Sequence, residues 1–232
     1  MDDRHGNPDT LPVAVWLVLP LASALVLAAI EIWYPRWAVV WIHSENGALE
    51  MIHFLMMLGA AILALRILAM PHLYGSPWLA LWAAIAALGS LYVAGEEISW
   101  GQNLFGWLTP EFWRAINDQG ETNLHNVSSW LDQKPRALLE AGVIVGGILL
   151  PLLALRYPRI RQGRFGLIVP PLACWPSAVL AEVTYRFDLA GDFWGKSSPF
   201  GRESEVQELF FYFFILLYLV VFRRRLRRLG PA

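Results

Sequence analysis

The sequence predicts an all-α, polytopic membrane bundle of about six transmembrane helices, and three observations carry that prediction. Hydrophobic residues make up 56% of the 232 and charged residues only 16%, where soluble domains carry about a quarter charged residues. The apolar residues come in blocks near the length of roughly 20 residues that a helix needs to cross a bilayer. The basic residues also segregate: eleven of the 18 lysines and arginines fall in segments that alternate with the other seven across successive blocks.

The expected spans cover residues 11–32, 48–68, 77–95, 137–155, 165–185 and 205–222 of a single integral-membrane domain. The first follows a short polar start and runs into Glu31 without a small-residue cleavage site, so it reads as a retained span rather than a signal peptide. The fourth contains Gly142 and Gly146, a spacing that lets helices pack closely. The fifth carries Pro170, Pro171 and Pro176 and is expected to be kinked. Between the third and fourth lies a loop, 96–136, in which Thr109, Pro110 and Glu111 form a helix start. A short interfacial helix through Trp113 and Ile116 follows from it.

Orientation follows the positive-inside rule. Arg4, Arg66, the group Arg156, Arg159, Arg161 and Arg164, and the terminal run from Arg223 to Arg228 place both termini in the cytoplasm. Sixteen of the 19 acids then lie on or near the outer side, and so do eight of the 12 tryptophans. A chain rich in Ala, Leu, Arg and Trp but poor in Lys suggests a bacterial inner membrane as its location. The single cysteine, Cys174, excludes an intrachain disulfide and any cysteine zinc motif. Membrane lipids are the expected partners, a protein partner on the acidic outer face is possible, and nucleic acid is not expected.

Acid and histidine groups recur at one membrane depth. Glu50 and His53 stand three apart at the start of the second span, the Glu-x-x-His pattern of helical carboxylate metal sites. Glu96 and Glu97 end the third, about 100° apart on a helix, so one can face a shared centre more readily than the other. In the loop, Glu121 and His125 stand four apart, flanked by Asn117, Gln119, Asn123 and Asn126. The uncharged part of the sixth span, 209–222, is too short to cross alone and draws Glu208 and Glu205 into the apolar layer. Crowded carboxylates repel unless something positive sits among them.

This pattern predicts an integral-membrane enzyme acting on a lipid or lipid-linked substrate at the outer interface. In that reading Glu50, His53, Glu121, His125 and Glu208 are ligands to a divalent zinc, iron or manganese ion. Glu97, with Glu96 beside it, is the general base, and Asn123 or Asn126 orients substrate. Two alternatives remain: a non-catalytic assembly or anchoring subunit with an acidic outer surface, and a proton or cation transporter. The latter is disfavoured because the polar groups gather at one end only. Glu96-Glu97 matches only a fragment of the E-E-x-x-x-R motif of glutamate-type intramembrane proteases, because Gly101 stands where that motif needs arginine.

Overall fold

A computed structural model of the chain describes residues 7–44, 47–117, 120–124, 127–163, 165–193 and 203–229. Among these the fold is all-helical, with no strand, and five helices are long and apolar enough to cross a membrane. The chain opens with a π-helical turn, Ala14–Val18, that runs directly into α1, Leu19–Trp33. Tyr34 breaks that helix, and Pro35 starts the short α2, Pro35–Trp41. Two 21-residue helices follow, α3, Ala48–Leu68, and α4, Pro77–Glu97, and they pack along each other.

The region after α4 holds two short helices, α5, Gln102–Phe105, and α6, Glu111–Ile116. Thr109 does not cap α6; Pro110 occupies the N-cap position without a side-chain hydrogen bond. The Thr109 hydroxyl instead donates to the Gly120 carbonyl and accepts from Gln102 Nε2 at 2.7 Å, tying the loop to itself. The next helix, α7, starts at Ser129 and ends at Val143, continues through a π-turn at Ile144–Leu149, and finishes as α8, Leu150–Arg156. A single turn, α9, Arg159–Gln162, precedes the polyproline region.

Residues 165–185 differ from the single kinked span expected of them. Turns occupy 165–169, and the long helix α10 begins only at Trp175 and runs to Phe193. Two adjacent prolines explain the difference. Neither Pro170 nor Pro171 has an N–H, and Pro171 is extended with ψ 163°, so a helix cannot propagate through them. Pro176 falls in the first turn of α10, where no intrahelical donor is needed. Glu182, Arg186, Asp188 and Asp192 lie along α10, which is not among the five apolar helices.

Removing residues 166–169 from helix leaves their carbonyls without intrahelical donors. Arg225 supplies them. Its Nη1 donates to the carbonyls of Leu167 at 2.9 Å and Val169 at 2.6 Å, while Nε and Nη2 grip both oxygens of Asp9 at 2.7 and 2.8 Å. Arg161 reaches the same carboxylate at 3.2 Å. One buried guanidinium therefore joins the N-terminal segment, the proline region and the last helix, α11, Glu203–Arg228.

That helix is the axis of the bundle, packed against α3 and α10. Its apolar window is 67% buried, whereas those of the other four apolar helices are 11–33% buried. Phe210, Phe211, Leu219 and Phe222 fill the surrounding space. The close helix approach lies one residue beyond the Gly142–Gly146 pair, at Gly147. A Cβ there would stand 2.7 Å from Ala178 Cβ and 2.8 Å from the Phe214 ring, while one at Gly142 meets nothing within 4 Å.

Alanine gains about 1 kcal/mol of helix propensity over glycine, so a matched pair separates propensity from packing. Gly142→Ala is expected to be neutral or stabilising. Gly147→Ala is expected to cost about 1–3 kcal/mol through overpacking. Thermal unfolding in detergent measures both, and equal effects of the two substitutions would contradict this packing.

Candidate metal centre

The end of α4 separates its two glutamates. Glu96 is buried and turned into the following loop: its Oε1 accepts from Trp100 Nε1 at 2.6 Å and its Oε2 from the backbone N–H of Leu124 at 2.7 Å. Glu97, about 100° round the helix, turns instead towards α3 and α11. The chain then makes a tight reversal in which Ser99, Trp100 and Gly101 have φ of 47°, 55° and 101°. Left-handed backbone costs about 1–3 kcal/mol at a residue with a side chain, so the surroundings must hold Ser99 and Trp100 there. The Trp100 ring lies where a Cβ on residue 95 would stand, 2.8 Å from that position, and only glycine permits it.

Ser99 is held by the loop polar residues. Its hydroxyl donates to Glu121 Oε2 at 2.6 Å, its carbonyl accepts from the Thr122 hydroxyl at 2.7 Å, and Asn123 Nδ2 donates to both Ser99 Oγ and Glu121 Oε2. Asn117 closes the group by donating to the Asn123 side chain at 2.8 Å. Buried Glu96 and Asn123, with half-buried Glu121, thus form a clamp that fixes the reversal. His125 and Asn126 lie outside the described residues.

A second group sits inside the bundle. His53 from α3, Glu97 from α4 and Glu208 from α11 each offer a ligand atom within 4.8 Å of the others, and the three could hold a metal ion. His53 is 1% exposed. Its Nδ1 approaches Glu97 Oε2 at 3.2 Å, whereas its Nε2 is buried with no hydrogen-bond partner. Such an orphaned nitrogen is costly unless a proton acceptor or a cation meets it. Tyr212, one turn beyond Glu208, donates its hydroxyl to Glu97 Oε1 at 3.0 Å and meets the His53 ring edge-on at 5.0 Å between centroids. Glu50 lies one turn before His53 on the same helix and outside the three-residue group.

Arg136 is the cation beside these carboxylates. Its guanidinium lies 3.9 Å from Glu208, donates to Gln207 Oε1 at 2.5 Å and stacks over the Tyr185 ring. The sequence suggests pairing with Glu140, four residues on, but Glu140 pairs with Arg186 at 3.2 Å.

The sequence also gives no prominence to the neighbouring cluster. His43, between α2 and α3, donates from Nδ1 to Glu205 Oε2 at 2.7 Å and from Nε2 to Glu31 Oε1. Glu31 ends the first apolar run and Glu205 stands one turn before Glu208, so α1, the α2–α3 link and α11 are joined through one imidazole. The one signal in the sequence is an acid at the end of an otherwise uncharged span. No protein-family model, curated protein or solved structure matches this chain.

Burial disfavours the charged imidazole of His43, but the Glu205 and Glu31 carboxylates outweigh it and raise its pKa above the usual 6.5. Its contribution to stability is therefore full below the unfolded-state value of about 6.5 and is lost as pH rises through the higher folded value. His43→Gln is expected to cost about 3–5 kcal/mol at acidic pH, because it removes the charged imidazole that bridges the Glu31 and Glu205 carboxylates. The gap in thermal stability between wild type and variant should narrow as pH rises above about 6.5; a gap independent of pH would contradict the charged form.

Proposed function

We propose that the protein is an integral-membrane, metal-dependent hydrolase acting on a lipid or lipid-linked substrate at the extracytoplasmic interface. The observation that carries this reading is the convergence of His53, Glu97 and Glu208 from three helices beside an unsatisfied His53 Nε2. One imidazole and two carboxylates suit zinc, iron or manganese. Three protein ligands leave a position for water, which is the arrangement of catalytic rather than structural zinc sites. A di-iron site of the helical carboxylate type uses two Glu-x-x-His pairs, and the chain has one, Glu50 with His53. That difference favours hydrolysis with a single zinc ion over oxidation.

A divalent ion held by His53, Glu97 and Glu208 would supply the acidity that makes water a nucleophile near neutral pH. Glu50, one turn from His53, would accept that water's proton and return it to the leaving oxygen as the bond from that oxygen to the ester carbon or phosphorus breaks. Arg136, already 3.9 Å from Glu208, steadies the excess negative charge of the group. Tyr212 fixes the Glu97 carboxylate by its hydrogen bond. Exposed Trp100, Phe105, Trp107, Leu108 and Phe112 lie in the segment that follows Glu97. They supply an apolar rim suited to acyl chains, with tryptophan favoured at the membrane–water boundary. The basic end of α11 supports an extracytoplasmic position for that rim under the positive-inside rule.

Elemental analysis of protein purified without chelator tests this reading. The expected result is about one zinc ion per chain, falling at least tenfold in His53→Ala and in Glu208→Gln, as loss of a ligand predicts. Glu121→Gln, which touches the loop clamp and not the three-residue group, should keep its metal. Metal-free wild type would overturn the proposal.

A further inference from the structure

The opposite end of α11 carries a second polar feature that the hydrolase reading does not use. Val220, Arg223, Arg224 and Arg227 follow one another at spacings of three, one and three residues, which places them on one face of the helix. With Leu63 of α3 they line a cleft of about 260 Å³ between the two helices. Arg66, one turn beyond Leu63, adds its charge to those of Arg223 and Arg227. Among the described residues no acidic side chain pairs with Arg66, Arg223, Arg224 or Arg227. Arg223 Nε is buried and without a hydrogen-bond partner.

The contrast with Arg225, on the same helix turn, is informative. Arg225 spends its donors on Asp9 and on backbone carbonyls, and Arg224 gives one to the Thr10 carbonyl at 2.9 Å, whereas Arg223 and Arg227 line the open cleft. Like charges so placed call for an anion with several acceptor oxygens, and planar guanidinium groups match phosphate. Leu63 and Val220 give the cleft an apolar side towards the helix centres. A free anion has no use for such a surface, but the first methylenes of an acyl chain do.

We propose that the α3–α11 cleft binds the phosphate of an anionic phospholipid, with Arg223 and Arg227 as its principal donors and Leu63 and Val220 against the lipid's glycerol and upper acyl region. The site is independent of the metal centre, about 22 Å away along α11 from Glu208 to Arg223 at the helical rise.

The test is native mass spectrometry of the whole chain in non-ionic detergent, titrated with phosphatidylglycerol, with phosphatidylcholine and with inorganic phosphate. Phosphatidylglycerol is expected to bind best. Arg223→Gln/Arg227→Gln should weaken it about 25-fold, from roughly fivefold for each arginine charge lost. Arg156→Gln/Arg159→Gln, which removes equal charge outside the cleft, should change binding less than about threefold, less than one such charge. Leu63→Trp keeps every charge but fills the cleft, and should also abolish tight binding. Phosphatidylglycerol binding that survives Leu63→Trp, or that falls equally in both arginine pairs, would mean attraction to bulk charge and would overturn the site. Inorganic phosphate binding as tightly as the lipid would overturn the lipid assignment in favour of a soluble phosphate ligand.

Discussion

Helix α11 enters the middle of the bundle carrying charged residues at both ends, and the cost of taking those charges out of water organises much of what surrounds them. A buried ion needs a partner of opposite charge or several hydrogen bonds, or its desolvation penalty exceeds what packing supplies. For Arg225 the requirement is met by Asp9 and the carbonyls of residues 167 and 169. Pro170 and Pro171 open the helix there, and the freed carbonyls become ligands for the guanidinium. The proline interruption and the buried arginine are two halves of one solution, and together they anchor the N-terminal segment against the last helix.

At the other end the balance is of opposite sign and less complete. Among the described residues, Glu31, Glu97, Glu205 and Glu208 face one guanidinium, Arg136, and two imidazoles, His43 and His53. His43 is satisfied on both ring nitrogens, so Glu31 and Glu205 are neutralised in part. His53 is satisfied on one only, and Gln207 Nε2 nearby is also buried without a partner. The excess negative charge and the unpaired nitrogen occur together, around the same three residues. A divalent cation held by these three residues would offset the crowded carboxylates, so the metal reading rests on their geometry and charge and not on the presence of histidine alone.

The helical class was legible because the bilayer requires long apolar blocks, and those survive any detail of packing. That Glu208 belongs to the last long helix was legible for the same reason, because residues 209–222 alone are too short to cross an apolar layer. What the sequence could not separate was the two roles of neighbouring acids. Glu96 and Glu97 are identical in composition and adjacent, yet the reversal at Ser99 and Trp100 brings residues 121–124 back over Glu96 and leaves Glu97 to the bundle. Similarly, local spacing pairs Arg136 with Glu140, but the described contacts of Arg136 are made with Tyr185, Gln207 and Glu208, distant in sequence. His43 and Glu31 belong to no motif, and their meeting depends on how α1, α2 and α3 turn back on one another. The proline region shows the converse, since Pro170 and Pro171 were visible but the partner that makes an unwound segment tolerable, Arg225, lies over 50 residues away.

The central claim is that a cation completes the group formed by His53, Glu97 and Glu208, and anomalous diffraction at the zinc absorption edge tests it most directly. Crystals of wild-type protein grown without chelator should show one strong anomalous peak, about 2.0–2.2 Å from an imidazole nitrogen of His53 and from carboxylate oxygens of Glu97 and Glu208. No peak there, with protein of intact fold in a zinc-containing medium and His53 instead hydrogen-bonded through both nitrogens to protein groups, would contradict the account.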